Sequence, residues 1–229
     1  MKSWLNLLKD GEAFSSGRFF KHRGVYVYKD DPPEICPVCA STTCRYHAHG
    51  SFLRWLKTYI EGRIKRIRIR KPRYMCLICG HTFSLHPPEG TPYKSTCNFL
   101  IVIFLWSYLA GSMGIHNCLP GELSDEVSAR NVARHLKSAK AIAVETQQFI
   151  REVLIEKIEP RPVEELFSGG LDPPESLLQR QAKEPQKVST LWRALYMIHQ
   201  GAKALSIDPR TLLAWANQKS RQKNRCFLI

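Results

Sequence analysis

The stretch Arg63-Ile-Lys-Arg-Ile-Arg-Ile-Arg-Lys-Pro-Arg-Tyr-Met-Cys-Leu-Ile-Cys79 decides how the first part of this chain folds. From Arg66 onward arginine alternates with Ile67 and Ile69. A period of two places the isoleucines on one face of a strand and the guanidinium groups on the other. The strand runs into the knuckle Cys76-Leu-Ile-Cys79, and a matching knuckle, Cys36-Pro-Val-Cys39, lies upstream. Between them Ser51-Phe-Leu-Arg-Trp-Leu56 also reads as extended, and Glu61-Gly62 marks a turn. The 36 residues that separate Cys39 from Cys76 therefore form a returning arm that brings the two knuckles together.

Four thiolates at one point are what a tetrahedral Zn²⁺ requires. Cys36, Cys39, Cys76 and Cys79 would close the coordination sphere and leave no position for a substrate water, so the zinc is expected to be structural. A competing assignment uses local ligands, with Cys36, Cys39, Cys44 and His47 at one ion and Cys76, Cys79, His81 and His86 at another. Buried thiols without metal are a third outcome.

The strand is also strongly basic. Residues 63–73 hold seven cations in eleven positions, with only Glu61 nearby. Arg63, Arg66, Arg68, Arg70 and Arg73 are candidate phosphate contacts, because guanidinium groups suit bidentate recognition of phosphate. The plainer alternative is a solvated strand face that discourages edge pairing. Over the whole chain the formal charge is +14. Residues 1–90 carry 16 Lys and Arg against 7 Asp and Glu, residues 91–170 carry 8 against 9, and residues 171–229 carry 10 against 4. Two basic ends around a neutral middle suggest two contacts with a polyanion.

Eight cysteines, four of them in paired knuckles, with no secretory signal in the opening residues, favour a reduced compartment, and the expected location is the cytoplasm. The most apolar run, Phe99 to Ala110, is shorter than the roughly 20 residues a bilayer needs, so it reads as a buried core helix that stops near Gly111. Ser124-Asp-Glu126 is the expected cap of a further helix, whose apolar stripe is Val127, Val132, Leu136, Ile142 and Val144. Phe149, Val153, Leu154 and Ile158 continue that stripe. Residues 161–188 are rich in Pro and Gly and read as a linker with one short helix near Glu175–Gln181. The expected organisation is a zinc ribbon with its N-terminal extension over 1–92, a helical domain over 93–160, the linker, and a helix-turn-helix with a basic tail over 189–229. The fold class is α+β.

That last block rests on Gln200-Gly-Ala-Lys-Ala-Leu-Ser-Ile-Asp-Pro-Arg-Thr-Leu-Leu-Ala-Trp215. Asp208 can cap a helix that begins at Pro209, with Leu212, Trp215 and Ala216 inward. Arg210, Thr211, Ala214, Asn217 and Gln218 fall on the other face, where a recognition helix would meet a major groove. Lys219 and Arg221 in the tail add phosphate-directed charge. A simple helical hairpin that closes a core is the alternative. Arg130, Arg134 and Lys137 share a face of an earlier helix and form a weaker candidate of the same kind.

The knuckles and their surroundings carry a resemblance. Cys36-Pro-Val-Cys39 is followed by His49-Gly50-Ser51-Phe52 and Arg54, then Arg70-Lys-Pro-Arg-Tyr-Met-Cys76-Leu-Ile-Cys79-Gly80-His81-Thr82, Leu85, Pro87 and Pro88. Residues 34–94 resemble the zinc-ribbon domain of bacterial mobile-element proteins, and are similar to the ribbon that opens some insertion-sequence transposases. The resemblance implies DNA binding associated with transposition. A transposase proper would need three carboxylates on a strand-rich nuclease core. After residue 94 the chain reads helical, and beyond residue 170 its only acids are Asp172, Glu175, Glu184 and Asp208. The expectation is therefore a non-catalytic protein that binds double-stranded DNA, as an accessory subunit or regulator of a transposon. The alternatives are the DNA-binding subunit of a split transposase with its nuclease on another chain, and an RNA-binding zinc-ribbon protein.

Overall fold

A computed structural model of the chain describes residues 14, 18–90, 94–111, 114–118, 127–158 and 171–222. The order is β1 (Phe19–His22), β2 (Val25–Tyr28), β3 (Tyr46–Ile60), β4 (Arg63–Cys76) and β5 (Thr82–Ser84). The helices follow as α1 (Asn98–Ala110), α2 (Ala129–Ala141), α3 (Ala143–Lys157), α4 (Glu175–Arg180), α5 (Pro185–Ala204) and α6 (Pro209–Gln222). The chain is α+β, as the sequence implied.

Two tight turns shape the sheet. Arg23-Gly24 joins β1 to β2 and Glu61-Gly62 joins β3 to β4, with φ of 46° and 75° in the first and 50° and 76° in the second. Positive φ at both central residues matches the right-handed twist of the flanking strands, and glycine at the second position takes it without strain. The spatial order is β1-β2-β4-β3, with β5 also on β4. β2 runs parallel to β4, and every other pair is antiparallel.

The register sorts the side chains. Trp55 lies beside Arg68, Arg68 beside Val25 and Val25 beside His22. In the next row Leu53, Arg70, Val27 and Phe20 are neighbours in the same way. These rows share the outer face. On the inner face Leu56, Ile60 and Ile69 are buried in one core with the helices. That core takes in residues from α1, α2, α3, α5 and α6.

The run Phe99–Leu105 of α1 is buried on every side, none of its residues being more than 3% exposed. Each large apolar side chain so placed contributes ~1.5–3 kcal/mol. Backbone bonds from Lys57 N–H to Ser95 and from Cys97 N–H to Lys57 fix this helix to the edge of β3. Arg180 of α4 donates to the carbonyls of Leu109 and Gly111 at its far end. Gly201 lets α3, α5 and α6 meet, since a Cβ there would stand 2.5 Å from Leu154 Cδ2 and 3.2 Å from Leu212 Cδ2.

Several helix boundaries differ from expectation. Ser124–Glu126 lie outside the described residues, and Ser128 caps α2 by accepting from Asn131 N–H. Val144 is 66% exposed, because the break at Ile142 (φ −118°, ψ 17°) rotates α3 out of phase with α2. α5 begins at Pro185, four residues before Ser189, with proline in the first turn where its missing N–H costs nothing.

Candidate metal centre and nucleic-acid interface

The two knuckles have the same local structure. Ala40 N–H donates to Cys36 O at 2.9 Å, as Gly80 N–H donates to Cys76 O at 2.8 Å. Cys36 N–H reaches Ser41 O and Cys76 N–H reaches His81 O, each at 3.0 Å. Both turns close through a left-handed residue, Ala40 with φ 56° and Gly80 with φ 71°. In the first knuckle Val38 and Cys39 aim their N–H groups at Cys36 Sγ, 3.4 and 3.5 Å away.

The sulfurs of Cys36, Cys39, Cys44 and Cys76 all lie within 4.8 Å of one another, close enough to hold a metal ion. Cys79 is beside them, its Sγ 4.0 Å from Cys36 Sγ. Cys44 Sγ and Cys76 Sγ are 3.5 Å apart. A tetrahedron with zinc–sulfur arms of about 2.3 Å has edges of roughly 3.8 Å, so these separations fit the ion. Thiols from both knuckles thus meet at one place, contrary to the assignment of two local sites. His81 Nδ1 is 3.0 Å from Cys79 O, and His86 Nδ1 is 3.0 Å from Lys71 Nζ.

The electrostatics of this cluster suit a cation. Backbone N–H groups of Cys79, then of Ile78, hold the Cys76 thiol down to about 6 against the opposing effect of burial. Burial pushes Cys36 up, yet the N–H groups of Cys39 and Val38 outweigh it and keep the thiol below its ordinary value. Ser41 N–H pulls Cys39 down, but burial and the thiols of Cys36, Cys79 and Cys76 together push it up to about 12. Thiolates packed this closely repel one another, and a divalent ion removes the conflict.

Arg66, Arg68 and Arg70 are exposed and share the outer face of β4. Among the described residues their charges are not neutralised, since the ion pairs lie elsewhere. Arg63 is exposed at the end of the hairpin, and Arg73 donates to Thr82 Oγ1. Both have the opposite parity in the strand, so only three of the five arginines form a common surface. Residues that the sequence did not single out join them. Trp55 lies under the guanidinium groups of Arg66 and Arg68, whose central carbons are 4.9 and 5.7 Å from the ring centre. Lys29 Nζ stands 4.8 Å from the centre of the Phe20 ring. Leu53, Trp55 and Lys57 alternate in the sequence, a signal that could have flagged Trp55. The parallel pairing that adds β2 has no such local sign.

The C-terminal block is corrected. α6 begins at Pro209 as the sequence implied, after a turn through Ser206 (φ 51°), but it is enclosed along most of its circumference. Arg210 is only 5% exposed and forms a buried ion pair with Asp208, Nε to Oδ2 at 2.9 Å and Nη2 to Oδ2 at 2.5 Å. Asn217 is fully buried and donates to Pro88 O at 2.8 Å, the carbonyl that Asn98 of α1 also reaches at 3.2 Å. Ala214 is buried, and Thr211 is half-buried. Lys219 pairs with Glu152 and Glu156 of α3. The side chain of Arg221 lies outside the described residues. The face expected to enter a groove is occupied by the protein itself. Arg130, Arg134 and Lys137 are exposed on α2.

No family model, curated protein or solved structure matches this chain. Among the described residues no helix is long and apolar enough to cross a membrane.

Proposed function

We propose that this chain is a non-catalytic nucleic-acid-binding protein whose reading surface is the outer face of its sheet, pinned by a structural zinc ion. The observation that carries the reading is the row of exposed, acid-free guanidinium groups at Arg66, Arg68 and Arg70 on a strand that ends in the thiol cluster. Such a row can follow a phosphate backbone and release its counterions. The resemblance of residues 34–94 to mobile-element zinc ribbons makes DNA the first partner to test. Its place would be beside a transposase, as an accessory subunit, a regulator or the binding half of a split enzyme. The C-terminal helices belong to the scaffold in this reading.

Five thiols compete for four positions. The matched hydrogen bonding of the two knuckles favours Cys36, Cys39, Cys76 and Cys79 as ligands, with Cys44 outside the repeated pattern. Elemental analysis should then find one zinc per chain, retained in Cys44→Ser and lost in Cys76→Ser together with the fold of the ribbon. Retention in Cys79→Ser with loss in Cys44→Ser would exchange the two. For the surface, affinity for labelled DNA is measured across a salt series. Replacing Arg66, Arg68 and Arg70 together with alanine should flatten the log–log slope by about 2–3. An unchanged slope would make the strand a solvated face.

A further inference from the structure

The outer face of the sheet is aromatic as well as basic. Trp55 is 45% exposed, Phe20 43% and Leu53 38%. A face that serves only to repel other strands needs charge, not rings. Here each exposed ring lies under a cation: Trp55 under Arg66 and Arg68, Phe20 under Lys29. Phe20 on β1 and Trp55 on β3 are separated by three inter-strand spacings, roughly 15 Å, with Arg68 in the row of Trp55 and Arg70 in the row of Phe20, both on the intervening β4.

This surface is four strands wide. A major groove of about 12 Å admits a two-stranded ribbon, so the sheet cannot enter it face-on. A duplex also keeps its base faces stacked inside, out of reach of a ring that lies on a sheet. An unpaired strand has neither restriction. Its bases can stack on exposed rings while its phosphates meet the cations between them. Resting on the nucleic-acid reading above, we propose that the outer face binds an unpaired nucleic-acid strand, with bases stacked on Trp55 and Phe20 in place of the cations that lie over those rings, and phosphates on Arg66, Arg68 and Arg70.

The test uses the full chain loaded with zinc and fluorescence anisotropy of three labelled probes: a pyrimidine-rich DNA 12-mer, the same strand with abasic positions, and the matching duplex. The parent protein should bind the intact strand about tenfold or more tightly than the duplex. The abasic strand, which keeps its phosphates and loses its stacking faces, should bind about as weakly as the duplex. Trp55→Ala should weaken intact-strand binding about 5- to 100-fold while leaving duplex affinity within about twofold, and Trp55→Phe should restore most of the loss. An RNA strand of the same sequence separates the two sources, and preference for either strand over its duplex supports the proposal. Equal binding of intact and abasic strands by the parent would overturn stacking without reference to any variant. A flattened salt slope in the triple arginine variant with no effect of Trp55→Ala would leave the nucleic-acid reading standing and remove this one. Failure of the parent to bind any probe would remove both.

Discussion

The outer face of β4 and the polar side of α6 carry the same kind of sequence signal, polar side chains at regular spacing opposite an apolar stripe, yet they end in opposite environments. Arg66, Arg68 and Arg70 are exposed, whereas Arg210 and Asn217 are buried and bonded within the protein. The difference lies in what each element has as neighbours. A strand has two faces, and once Ile69 joins the core, alternation sends Arg68 and Arg70 to the other face. A helix can be covered from several directions at once. α6 packs against α3, α5 and α1, so its polar side meets protein as well as its apolar side. Polar residues at helical spacing on such an element can satisfy a core instead of addressing a ligand.

The sharpest way to break this comparison is Arg210→Ala. It removes the cation paired with the buried Asp208 carboxylate, and chemical denaturation should show a loss of about 3–5 kcal/mol. Nucleic-acid affinity of the folded fraction should stay unchanged. A stability loss below about 1 kcal/mol with a sequence-selective binding defect would return α6 to the role of reader.

A pH titration sharpens the contrast next. Burial, with Lys94 and Arg134 nearby, lowers His135 of α2 to about 4. Its Nδ1 has no hydrogen-bond partner among the described residues. The unfolded chain, with an ordinary value near 6.5, takes up this proton first as pH falls. The contribution of neutral His135 to stability is therefore full above about pH 6.5 and is lost towards pH 4. Comparing the parent with His135→Gln should show about 2–3 kcal/mol more acid loss in the parent between pH 7 and pH 4. Parallel curves would mean that the ring is solvated.

The smallest effect on stability is expected where binding changes most. Alanine at Arg66, Arg68 and Arg70 removes only exposed side chains and should shift unfolding by no more than about 1 kcal/mol. A loss as large as that of Arg210→Ala would mean that the arginines support the sheet.

The β3–β4 hairpin, its turn at Glu61-Gly62, the meeting of the knuckles and the buried helix from Asn98 were all legible in the sequence. Each follows from a local rule: period two, positive φ at a two-residue turn, ligand spacing, or an unbroken apolar run. Cys44 was legible as a ligand only of a local site with Cys36, Cys39 and His47, because nothing in its spacing says that the chain between Ala40 and Tyr46 curls back to place its sulfur beside Cys76. The parallel pairing of β2 with β4, which brings Phe20 and Lys29 to the face that Trp55 and the arginines share, was decided by tertiary structure alone. So was the burial of Arg210 and Asn217. Sequence sets which residues share a face of an element, because backbone geometry fixes that within a few residues. Which face is left to solvent depends on elements far away in the chain that compete to cover it, and only packing resolves that competition.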